Sequence, residues 1–139
     1  MRIFGKLFQT PDAKTKVMDY IPGATADFVA KSRAMAGALE KIPDGKEELV
    51  IAYAMGIIDF LSQRNNLSIE ETKVVMARYV RLVESDERTI RIILEFMANL
   101  STTPEGERWM TEGGKAFGRY MAGELTALWR LNQLLESAS

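Results

Sequence analysis

The chain has 139 residues, 47% hydrophobic and 27% charged, with 18 lysines and arginines against 19 acids for a net charge of −1. That is the size and composition of one globular domain with a substantial core; a disordered chain would be poorer in apolar residues. Cysteine and histidine are both absent, which excludes disulfides, thiolate nucleophiles, cysteine–histidine metal sites and every catalytic set built on imidazole; the balanced charge supplies no long-range field for nucleic acid.

Residues 1–9, MRIFGKLFQ, read as a short N-terminal arm. Lys6 breaks its apolar stretch and no small-residue cleavage site follows, so it does not read as a signal peptide, and a cytoplasmic location is the expectation. Ile3, Phe4, Leu7 and Phe8 are expected to dock on the body of the domain. Membrane contact through residues 2–8, with Arg2 and Lys6 at headgroups, is the alternative, although so short an anchor binds weakly alone.

Thr10-Pro11-Asp12 is a helix start: a hydroxyl cap, proline at the first helical position and an acid in the first turn. This helix is expected to stop at Pro22-Gly23, and a second to run from Thr25 to just before Pro43. Asp44 and Glu47 have capping-box spacing and open a third helix, at about 46–64. Its stretch from Leu49 to Ile58 carries no charge. With no polar face it is expected to be the central helix of the fold. Leu49–Leu61 would measure about 20 Å as a helix, against roughly 30 Å of membrane hydrocarbon, and is too short to span.

Asn65-Asn66 breaks that helix. Ser68 and Glu71 form the clearest capping box in the chain. They start a helix reaching about Glu84, with Ile69, Val75, Met76, Tyr79, Leu82 and Val83 inward. Ser85 or Asp86 caps a fifth, to about Leu100, whose wide apolar arc predicts burial close to that of the third. Thr103-Pro104-Glu105 starts a sixth, expected to end at Gly113-Gly114, and a last helix covers Lys115 to Glu136. No segment alternates like a strand. The expected fold is all-α, a compact bundle of about six to seven helices forming a single domain over residues 1–139.

The segment of residues 47–83, with SQRNNLSIEE at its turn, resembles one half of the TerB-like tellurite-resistance helical domains, in which an acid-rich turn links two helices. Gln63, Asn65 and Asn66 stand here in place of the aspartates, no second half matches, and no residue role carries over.

Asp59 and Glu124 are the two carboxylates that helical periodicity places on apolar faces. Each is either paired structurally or a polar anchor in a pocket. A calcium loop from Asp59, Gln63, Asn65 and Glu70 fails, because Leu61 stands at its third position and Arg64 where glycine is required. Trp109 and Trp129 are candidate stacking residues for such a pocket, against a core or interface role. Arg78, Arg81, Arg88 and Arg91 interleave with Glu84, Asp86 and Glu87 and read as a salt-bridged surface.

Small residues recur at four-residue spacing: Ala26, Ala30, Ala34 and Ala38; Ala52 and Gly56; Gly114, Gly118 and Ala122. Such stripes let another helix approach closely, within the chain or across a dimer. Phe28, Met35, Leu39 and Ile42 add a narrow seam. Gly114, Gly118, Ala122 and these four are the candidate interface.

The leading functional expectation is therefore a non-enzymatic helical interaction module that self-associates, partnered by protein (itself or another), with no cofactor and no metal. The alternative is a bundle binding a small apolar molecule or lipid in a pocket near Asp59 or Glu124, for which eight methionines suit an adaptable lining.

Overall fold

The computed structural model describes residues 11–35, 42, 45–100 and 102–138. The expected arm at 1–9, Leu39 and the capping residue Asp44 lie outside them. Among the described residues there are six α-helices, one 3-10 turn and no strand, so the fold is the all-α bundle that the sequence predicts.

Helix α1 (Pro11–Ala34) begins with the expected proline and Asp12 in its first turn, but it does not stop at Pro22-Gly23; Pro22 lies inside a single helix of 24 residues. An interior proline forfeits a backbone hydrogen bond and costs about 3 kcal/mol. The offset is a face that continues across it. Ile21, Thr25, Phe28 and Ser32 are all buried, and Thr25 donates its hydroxyl to the Ile21 carbonyl at 2.8 Å.

Helix α2 (Glu47–Arg64) is the central helix, buried from Leu49 to Ile58 apart from half-buried Ile51. It closes where Asn66 takes a φ of 56° and the Leu67 N–H reaches back to the Ser62 carbonyl at 2.9 Å. Asparagine fills the left-handed position that glycine usually holds after a helix.

Helix α3 (Ile69–Val83) opens with the capping box read from the sequence. The Glu71 N–H donates to Ser68 Oγ at 3.0 Å, and the Ser68 N–H to Glu71 Oε1 at 2.8 Å. Val75, Tyr79 and Val80 form its buried face. Ile69, Leu82 and Val83, expected inward, are exposed because they flank that stripe.

Helix α4 (Glu87–Leu100) is capped by Asp86, which accepts from the Thr89 N–H at 2.9 Å and its hydroxyl at 2.6 Å. Its expected deep burial is not found. Only Ile90 and Leu100 are buried, and Ile92 is 57% exposed. The arc is wide, but among the described residues no second layer covers the outer side of α4.

Helix α5 (Pro104–Met121) starts from Thr103, whose hydroxyl oxygen accepts from the Gly106 N–H at 3.0 Å. It runs straight through Gly113-Gly114, where the sequence predicted a stop. These glycines serve packing instead: a methyl group on Gly113 would overlap the Tyr53 carbonyl, and one on Gly56 the Met110 carbonyl. The pairing of α2 with α5 is the most extensive among the described helices.

The chain turns instead at Gly123, φ 98°, passes through the 3-10 turn Leu125–Trp129 and enters α6 (Arg130–Ala138). Asn132 fastens α6 to α1. Its amide N–H₂ donates to the Ser32 carbonyl at 2.6 Å and its oxygen accepts from Arg33 at 2.9 Å. Among the described residues no helix is long and apolar enough to cross a membrane.

Candidate functional site

The α2–α5 crossing sets the floor of an open groove of about 700 Å³ walled by four helices. Met55, Asp59 and Gln63 lie one turn apart along one line of α2, as spacing by four requires. Ile69, Thr72, Lys73 and Met76 enter from α3, Leu94, Met97 and Ala98 from α4, and Met110 from α5. Each of the four helices thus contributes one thioether.

Asp59 is half-buried and accepts a hydrogen bond from Gln63 Nε2 at 2.8 Å. Beyond it lies a second depression of about 450 Å³, which shares Asp59, Gln63 and Met110 and adds Glu107, Thr111 and Lys115. Asp59 therefore stands on the ridge between two hollows. Lys73 lies 3.6 Å from Glu70, both well exposed.

A third hollow, of about 720 Å³, lies over Phe60, Gly114 and Gly118 and has charged side chains on its walls. Arg130 donates to Glu112 at 2.8 Å on its wall. The Arg130 hydrogen bond holds the Glu112 carboxyl below the usual carboxylate range, against a smaller opposing effect of burial. Glu124 faces this hollow, 3.9 Å from Arg119, with its side chain 57% exposed. The expected apolar setting of Glu124 is absent because the helix breaks at Gly123, one residue earlier. Asp59 and Glu124 line different hollows.

The two tryptophans also separate. Trp109 is 2% exposed in the core and Trp129 is 51% exposed, and neither lines the groove. Of the candidate interface, Phe28 is buried edge-on against Phe117, with ring centroids 5.1 Å apart. Gly114 and Gly118 face Phe60 within the chain, Ala122 and Met35 are exposed, and Ile42 is half-buried. Arg78 and Arg81 pair with Asp19 and Glu87 at 3.0 and 2.8 Å.

The lining that the sequence reading did not assemble is the methionine set. Its signal was methionine, rather than leucine or isoleucine, on the inward arcs of separate helices. In comparison with known proteins, no family model matches the chain, and no curated protein or solved structure matches it.

Proposed function

We propose that this chain is a binding domain whose groove takes a small apolar molecule. The observation that supports this reading is the meeting of Met55, Met76, Met97 and Met110, from four helices, around one open volume of about 700 Å³. Small-molecule sites occupy about 300–1,000 Å³, mostly apolar with a few placed polar groups. Thioether side chains are unbranched and polarizable, so such a lining adjusts to its occupant. Asp59, Gln63 and Thr72 supply the polar points. A cytoplasmic location belongs to the same proposal.

Titration with Nile red, a neutral apolar dye, tests it. A saturable rise in emission is expected, weakened at least about fivefold by Ala98→Trp, which fills the groove from an exposed position. Saturable binding that Ala98→Trp leaves unchanged would put the site elsewhere. Absence of binding would count against the reading.

A second reading, self-association, is favoured by Met121, Leu125 and Trp129, all exposed around the 3-10 turn. Exposed apolar residues gathered in one region often mark contact surfaces. Light scattering that finds a monomer throughout the micromolar range would remove it, whereas a dimer dissociated by Trp129→Ser would support it.

A further inference from the structure

We infer that the molecule taken by the groove carries a primary ammonium group, with Asp59 as its counter-charge. This deepens the small-molecule reading above and rests on it. Asp59 has an unusual position for a carboxylate. It is half-buried in the C-terminal third of the central apolar helix, one turn beyond Met55, and lines both adjoining hollows. Among the described residues it accepts one hydrogen bond, from the neutral amide of Gln63, and no ion pair forms on it. A carboxylate partly withdrawn from water gains most from a cation that brings its own donors.

The neighbouring charges do not supply that cation. Lys73 lines the same groove but is well exposed and already lies 3.6 Å from Glu70. An anionic head placed at Lys73 would meet the Glu70 carboxylate as well. Lys115 lines the second depression with Asp59 and Glu107, but its charge acts on Glu112, and among the described residues it makes no ion pair with Asp59. Gln63 turns its N–H₂ toward Asp59, which leaves its amide oxygen as a second acceptor one helical turn away. Three ammonium hydrogens match this set: one or two to Asp59, one to Gln63, with the Thr72 hydroxyl on the facing wall. The apolar body would then run over Met55, Met76 and Met97.

Calorimetric titration of the whole chain with octylamine, octanol and octanoate, below the solubility limit of the alcohol and the micelle-forming concentrations of the other two, separates the possibilities. Octylamine is expected to bind about five- to tenfold tighter than octanol, and octanoate more weakly than either. Asp59→Asn is expected to bring the amine-to-alcohol ratio close to one. Equal binding of amine and alcohol, preference for octanoate, or a ratio that survives Asp59→Asn would each overturn the inference while the groove reading stands. If none of the three binds, the groove reading fails and this inference fails with it.

Discussion

Gly56 and Gly113 are opposed at one helix crossing, where α2 and α5 meet backbone against backbone. A side chain on either would strike a carbonyl of the other helix: Met110 for Gly56, Tyr53 for Gly113. Neither obstacle is a flexible side-chain tip, so the helices themselves would have to separate. Gly56→Ala and Gly113→Ala are each expected to cost about 2–3 kcal/mol in denaturant unfolding. Gly23→Ala is the contrasting case. Gly23 is helical and a Cβ there meets nothing within 4 Å, so it is expected to stabilise by about 0.5–1 kcal/mol. Similar losses at all three positions would contradict the crossing.

The Glu112–Arg130 pair ties α5 to α6 through one short hydrogen bond, with side chains 22% and 31% exposed. Glu112 titrates below its ordinary range because Arg130 stabilises the charged form. Its folded pKa lies below the unfolded one, so its contribution is complete above the unfolded pKa, near 4.3, and is lost as pH falls through the folded value. Glu112→Gln is expected to cost about 1–2 kcal/mol at neutral pH. Thermal melts as a function of pH should show the gap between wild type and variant closing as pH falls below the unfolded pKa and through the lower folded one. A gap that persists there would assign the cost to packing.

Asn132 makes the other tie, from α6 to α1, and it is buried. Asn132→Leu keeps the branching and heavy-atom count, though it is somewhat larger, and strands the Ser32 carbonyl and one Arg33 hydrogen bond. The expected cost is about 2–3 kcal/mol, with faster amide exchange in α6 than in α2. Uniform exchange in both helices would show that α6 does not open separately.

What the sequence made legible was governed by local chemistry. The Ser68–Glu71 box and the Thr103 cap need only neighbouring residues, and the charge-free stretch of α2 announces its own burial. Pro22-Gly23 and Gly113-Gly114 misled because the same residue types stop a helix or serve its packing, and only the partner helix decides. A last helix running unbroken from Lys115 through Gly123 would turn Glu124 inward; the break at Gly123 leaves it exposed. The burial of α4 was overread for a related reason: the width of an apolar arc does not reveal whether a neighbour is there to cover it. Asp59 was singled out from its own helix. The groove around it needed the relative placement of four helices, which no single periodicity encodes.

In the proposed function the four methionines act together as a binding surface, and their methyl groups report on it directly. With methyl-labelled methionine, addition of octanol should shift the resonances of Met55, Met76, Met97 and Met110 along a common saturation curve, leaving Met35 and Met121, which are exposed away from the groove lining, in place. Shifts scattered evenly over all of these methyl groups, or confined to Met35 and Met121, would contradict it.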